Sequence, residues 1–121
     1  MALDRKALTR AYKETPPPAG VYAVRNTVSG AVLLGTTQNL PGILNRQRFS
    51  LQHGSHTNKV LQRDYDELGV GAFAFEVLDT LEPSDDPASD LAEELKTLGA
   101  MWRDRLAAEG VPDYGPAARR G

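Results

Sequence analysis

Residues 20–35 read Gly-Val-Tyr-Ala-Val-Arg-Asn-Thr-Val-Ser-Gly-Ala-Val-Leu-Leu-Gly. Two apolar runs flank residues 26–30, a segment rich in turn-forming residues that ends in Gly30, which can take a positive φ. The pattern predicts a β-hairpin with strands over residues 21–26 and 31–34. Tyr22 lies on its first strand and Leu33 on its second.

Helical patterns lie on both sides of this hairpin. Apolar residues at helical spacing predict helices over residues 3–14, 39–52, 58–68 and 90–108. Asn39 is a typical N-cap residue, and Gly69 is a typical stop. The three prolines that follow residue 15 end the leading helix because proline cannot donate the helical hydrogen bond.

A third strand is predicted over residues 73–78, which are rich in aromatic and aliphatic side chains. A small three-stranded antiparallel sheet flanked by helices would bury the apolar faces, so we expect a mixed α/β fold of the α+β type, with an extra N-terminal helix. The expected organisation is a leading helix and proline-rich linker over residues 1–19, one domain over residues 20–108, and a flexible tail over residues 109–121.

Composition limits the cellular context. The 121 residues include no cysteine, which excludes disulfides and thiolate metal sites and fits a reducing compartment. The N-terminus has no apolar export segment, and the longest uninterrupted apolar run is far below the ~20 residues of a membrane-spanning helix. We therefore expect a cytoplasmic protein that does not bind membranes.

Charge is divided along the chain. Residues 1–63 carry nine basic and two acidic side chains, and residues 64–121 carry five basic and fourteen acidic ones. This asymmetry indicates a surface that can meet phosphate. Solvated faces of mixed sign are the alternative interpretation of the same charges.

An ordered set of motifs along residues 20–106 resembles the GIY-YIG nuclease family. It comprises Gly20-Val21-Tyr22, the hairpin length, Gly35, Asn39-Leu40, Gly54-Ser55-His56, Asn58, Leu61, Gln62 and Trp102. A single tripeptide of this kind is a weak signal, whereas the ordered set is a stronger one. The resemblance implies the fold of that family, and the leading helix and the tail lie outside it.

The resemblance also implies a chemistry. Family members hydrolyse phosphodiesters with two motif tyrosines, an arginine and a nearby histidine or its substitute on and after the first helix, and a glutamate that binds one divalent ion. Tyr22 matches the first tyrosine and would hydrogen-bond the attacking water. His56 matches the histidine that follows the first helix.

Three other family positions carry different residues here. Leu33 occupies the second tyrosine position, Ile43 the arginine position and Gly99 the metal-binding glutamate position. None of these side chains can perform the original role. Because the loss of one charge stabiliser commonly reduces a rate by about 10²- to 10³-fold, the resemblance implies a domain without the cleavage activity of the family and with no required cofactor.

Other residues could replace the lost groups. Arg46 lies one turn beyond Ile43, with Arg48 and Lys59 in the same region, and Glu76 on the third strand is a possible carboxylate. The retained residues also have structural interpretations, since Tyr22 can be a packed aromatic and His56 can cap or hydrogen-bond the backbone. Gly99 can serve helix packing, and Trp102 fits the apolar stripe of the last helix.

The basic residues on the hairpin and the following two helices form the expected binding surface, Arg25, Arg46, Arg48, Lys59 and Arg63. No ladder of aromatic residues for stacking unpaired bases is evident, which favours recognition of a duplex backbone. The leading hypothesis is a catalytically degenerate nuclease-like domain that binds nucleic acid, most naturally DNA. An active endonuclease that uses Mg²⁺ or Mn²⁺ with displaced catalytic groups is a second hypothesis, and a module that binds a protein partner is a third.

Overall fold

The computed structural model describes residues 17–81 and 90–116. The predicted leading helix over residues 3–14, the acidic, proline-containing residues 82–87, for which the sequence predicts a loop, and the last five residues lie outside the described residues. Within them, no helix is both long and apolar enough to cross a membrane.

The predicted hairpin is confirmed. Strand β1 (Ala19–Asn26) pairs antiparallel with β2 (Val32–Thr37). The side-chain carbonyl of Asn26 accepts hydrogen bonds from the N–H groups of Val28 (2.9 Å) and Ser29 (3.1 Å), which closes the turn. Gly30 has a φ of 85°, as the turn requires.

The sheet has four strands, so the prediction of three was wrong by one. Strand β3 (Phe73–Leu81) pairs antiparallel with β1, and β4 (Asp113–Pro116) pairs parallel with β2, giving the order β3-β1-β2-β4. Residues 113–116 are thus part of the sheet and not of a flexible tail. The short β4 has no alternating apolar pattern that would predict it, and an edge strand tolerates its proline and glycine.

Three helices complete the described structure, in the predicted places. They are α1 (Leu40–Gln52), α2 (Lys59–Leu68) and α3 (Leu91–Ala108), and a single 3₁₀ turn, Val70–Ala72, precedes β3. Each helix begins after a side-chain cap of the expected kind. Asn39, Asn58 and Asp90 accept the N–H groups of Gly42, Leu61 and Glu93, respectively.

The helices cover both faces of the sheet. On one face, Val24 and Leu33 pack with Leu51 of α1 and Leu61 of α2. The other face forms a second core cluster with α3, in which Val21, Ala23, Val32 and Leu34 pack with Leu106. The central strand β1 is therefore buried on both sides, which explains its nearly continuous apolar sequence.

Hydrogen bonds of Tyr114 connect β4 to the rest of the domain. Its hydroxyl donates to Oδ2 of Asp64 on α2 (2.6 Å) and accepts from Nδ2 of Asn26 (3.0 Å). Its carbonyl accepts from Nδ2 of Asn58 (2.9 Å). Burial, reinforced by the Asp64 carboxylate, raises the pKa of Tyr114. These bonds connect residues far apart in sequence, so the pattern of the chain did not reveal them.

Gly20 has a steric role in the sheet, and we predict that Gly20→Ala destabilises the domain. A Cβ at this position would lie 2.0 Å from the carbonyl oxygen of Asp79 on β3, beside the register shift between Val21 and Tyr22. We expect the free energy of unfolding in urea to fall by about 1–3 kcal/mol or more. Gly71→Ala is the matched control, because a Cβ there meets no atom within 4 Å. Equal stabilities of the two variants would contradict this role.

Candidate active site and cationic surface

Tyr22 is deeply buried on the sheet face that α1 and α2 cover. It is 2% exposed and pairs with Gly35 across the hairpin, so its ring lies on the same face as Val24 and Leu33. Burial raises the pKa of Tyr22 to about 12. The raised pKa disfavours the phenolate, so the hydroxyl is a neutral group that can donate or accept a hydrogen bond.

Leu33 and Ile43 supply only apolar surface. Leu33 is fully buried and belongs to the core cluster with Val24, Leu51 and Leu61. Ile43 is half-buried on α1. Both side chains are hydrocarbon, so neither can orient water or neutralise a phosphate.

Gly99 is a packing residue between α3 and β2. A Cβ built on it would lie 2.7 Å from Cγ2 of Thr36. Thr36 follows Gly35 in β2 and pairs with Val21, so it points to the α3 side of the sheet, opposite to Tyr22. The absence of a side chain at Gly99 therefore lets α3 approach the sheet, which is the packing interpretation made from the sequence.

His56 is at the centre of a buried polar network. It is 3% exposed, its Nε2 lies 2.5 Å from Oε1 of Gln47, and its Nδ1 accepts the N–H of Asn58 at 3.0 Å. These partners require a neutral ring with the proton on Nε2. Loss of hydration on burial lowers the pKa of His56, and the nearby charge of Lys59 acts in the same direction.

The same network joins α1 to α2. Gln62 accepts the backbone N–H of His56 at 3.0 Å and donates to the carbonyl of Leu51 and to Oδ1 of Asp66, both at 3.0 Å. Both ring nitrogens of His56 are thus used within the protein, and the ring is not free to act on a substrate. Gln62 and Gln47 are buried polar residues that sequence reasoning did not identify as structural. Gln62 was named only as one of the motif residues, and the only signal for Gln47 was its position on the apolar face of α1.

Several carboxylates near the sheet form contacts within the protein. In residues 17–81 and 90–116, no three His, Asp or Glu side chains come together in a group that could hold one. Glu76, the possible replacement carboxylate, accepts Nε of Arg25 at 3.1 and 3.3 Å. Asp79 accepts the indole N–H of Trp102 at 3.0 Å, and Asp64 accepts the hydroxyl of Tyr114. These carboxylates serve internal contacts.

The predicted cationic surface is divided. Arg25 is paired with Glu76 and lies on the α3 side of the sheet, because it alternates with Tyr22 and Val24 along β1. Arg46 and Arg48 are exposed on α1, and Lys59 and Arg63 are exposed on α2. In the described part of the chain, these last four cations form no ion pair.

Helix α1 is the most consistently positive element. Its 13 residues include Arg46 and Arg48 and no acidic residue. The guanidinium of Arg48 lies 4.7 Å from the ring centroid of Phe75 on β3, so this arginine is held over the sheet. The two arginines are about 200° apart around the helix axis and emerge on its opposite flanks.

Two solved structures share this fold. A mutant of the catalytic domain of intron endonuclease I-TevI matches with a TM-score of 0.65 and 20% sequence identity, over 86% of this chain and 99% of that chain. The catalytic domain of homing endonuclease I-TevI matches with a TM-score of 0.61 and 19% identity, over 80% and 98% of the respective chains. No family model and no curated protein matches the sequence. The chain therefore has the GIY-YIG fold, as the motifs predicted.

The neutral state of His56 predicts a loss of stability in acid. The pKa of His56 is lower in the folded than in the unfolded chain. As the pH falls below about 6.5, this histidine is therefore protonated to a greater extent in the unfolded state than in the folded state. The free energy of unfolding should thus decrease as the pH falls from about 7.5 to 5.5, by at most about 1.4 kcal/mol per pH unit from this group. His56→Asn should flatten this dependence in urea titrations. The exposed His53→Asn is the control, and an equal flattening by both substitutions would contradict the prediction.

The contact of Gly99 with Thr36 predicts that the two positions are energetically coupled. Gly99→Ala gains about 1 kcal/mol of helix propensity, but its methyl group would meet Cγ2 of Thr36. Thr36→Ser removes that atom and keeps the hydroxyl. We expect Gly99→Ala to be more favourable by about 1 kcal/mol in the Thr36→Ser background than alone, as measured by urea unfolding of the four proteins. Additive effects would indicate that the two residues do not touch.

Proposed function

We propose that this domain binds nucleic acid, and specifically DNA that contains a duplex, through the cations of α1 and α2, without metal-dependent cleavage. The observation that carries the proposal is the charge of α1. This helix exposes Arg46 and Arg48, contains no acidic residue, and has no ion pair to other described residues. Unpaired arginines on an element without carboxylates are the groups that bind phosphate.

The positions of these cations support contact with a backbone. Arg46 and Arg48 lie on opposite flanks of α1, so they can reach phosphates on both sides of the helix. Lys59 and Arg63 are one turn apart on the adjacent α2, where an i, i+4 spacing places them on one face. Arg25 does not belong to this surface, because Glu76 neutralises it on the α3 side.

The absence of cleavage is proposed from the residues at the family positions. Burial raises the pKa of Tyr22 to about 12, which disfavours the phenolate that would take a proton from water. Leu33 and Ile43 supply no polar atoms, and Gly99 is occupied with packing against Thr36. With His56 fully hydrogen-bonded inside the protein, the retained positions support the fold and offer no free base.

We predict salt-sensitive binding of DNA that depends on α1. Fluorescence anisotropy with a duplex of about 20 base pairs should detect binding without divalent ions at low salt, and the affinity should decrease as salt rises. Arg46→Gln with Arg48→Gln should weaken binding and reduce the salt slope by about 2, since each lost phosphate contact removes about one unit. Lys96→Gln with Arg105→Gln removes the same charge from α3 and should leave the slope unchanged.

Three results would contradict the proposal. They are undetectable binding at low salt, equal losses in the two double variants, and nicking of DNA in Mg²⁺ or Mn²⁺ that Tyr22→Phe abolishes. The last result would establish an active endonuclease with displaced catalytic groups. Nicking that Tyr22→Phe does not change would point to a contaminating nuclease, and purification to constant specific activity would remove it.

A further inference from the structure

The outward face of α1 carries an exposed aromatic pair. Phe49 is 58% exposed, and its ring stacks on that of His53, with 4.0 Å between the ring centroids and 30° between the planes. The two residues are one turn apart, which places both rings on one side of the helix. Large aromatic rings are normally buried, so a stacked pair in solvent is a candidate contact surface.

The pair is held in place by the end of the helix. Nδ1 of His53 lies 2.9 Å from the carbonyl oxygen of Phe49, and the backbone N–H of His53 donates to the same oxygen at 3.1 Å. The imidazole ring is therefore fixed by a hydrogen bond as well as by the stack. A flat surface that is already ordered loses little side-chain entropy when a second flat group packs on it.

The charges around the aromatic pair indicate which kind of ligand would bind to it. Arg46 is one turn before Phe49 on the same side of α1, and Arg48 lies on the flank over Phe75. Helix α1 contributes no carboxylate to this region. A flat aromatic group linked to an anion complements this surface, and a nucleotide combines both features.

We propose that Phe49 and His53 stack an unpaired base of the bound nucleic acid, while Arg46 contacts the adjacent phosphate. This inference rests on the proposed function and specifies its ligand as DNA in which a duplex continues into a single strand. A continuous duplex keeps its bases inside the helix, where they cannot reach an exposed ring.

The size of the effect follows from stacking in other proteins. Removal of one aromatic side chain that stacks a base commonly weakens binding by about 5- to 150-fold. Phe49→Leu is the decisive variant, because leucine keeps an apolar side chain on an exposed helical site and removes only the ring. Phe49→Trp keeps an aromatic ring and should retain the preference.

The test compares two DNA ligands with the full chain. One is a blunt duplex of about 20 base pairs, and the other is the same duplex with a single-stranded extension of about six nucleotides. We expect the extension to raise the affinity at least about fivefold, Phe49→Leu to abolish this gain while leaving blunt-duplex binding unchanged, and Phe49→Trp to preserve it. With 5-iodouracil in the extension, ultraviolet cross-linking should attach the DNA to the peptide that contains Phe49 and His53.

The outcomes separate this inference from the function on which it rests. Normal blunt-duplex binding with no gain from the extension would overturn the stacking inference alone. Equal losses of affinity for both ligands in Phe49→Leu would also overturn it. So would a gain from the extension that persists in Phe49→Leu, and binding of a protein partner would then be the alternative role of the aromatic pair. No binding of either ligand at low salt would overturn the proposed function and the stacking inference together.

Discussion

The burial of β1 on both faces is the constraint on which the rest of the structure depends. The strand runs through the middle of the domain with β3 and β2 on its two sides, and its residues Val21 to Val24 are almost inaccessible to solvent. Both helical layers are needed to cover it, one made by α1 and α2 and the other by α3. Gly20 lets the strand approach β3 closely, and Gly99 lets α3 approach β2. The close packing of two helical layers on one sheet therefore determines the positions at which only glycine fits.

Packing and internal hydrogen bonds account for several residues that the motifs singled out. Tyr22 keeps its hydroxyl, but burial makes it a very weak acid. Leu33 fills the core, Gly99 makes a close helix–sheet contact, and His56 uses both ring nitrogens to hold α1 and α2 together. A fold can retain its architecture while its polar groups change their roles, because the core requires shape and volume whereas catalysis requires free polar atoms.

The outward surface of α1 carries polar and aromatic groups that the packing of the fold does not explain. Its arginines have no acidic partner among the described residues, and its aromatic pair lies in solvent although nothing in the fold requires an aromatic ring there. Exposed groups without a structural role are better indicators of function than buried ones. The exposed groups of α1 are therefore the candidates for a function, whereas the buried motif residues explain the fold.

The sequence by itself determined the hairpin, the three described helices with Asn39 as the cap of α1, and the class of fold, because turn residues, N-caps and apolar periodicity act over short distances along the chain. Only the tertiary structure decided that residues 113–116 form a fourth strand, that Glu76 neutralises Arg25, and that His56 is enclosed by Gln47 and Asn58. Each of these depends on which side chains meet across the fold, and sequence periodicity carries no information about the partners of a polar group.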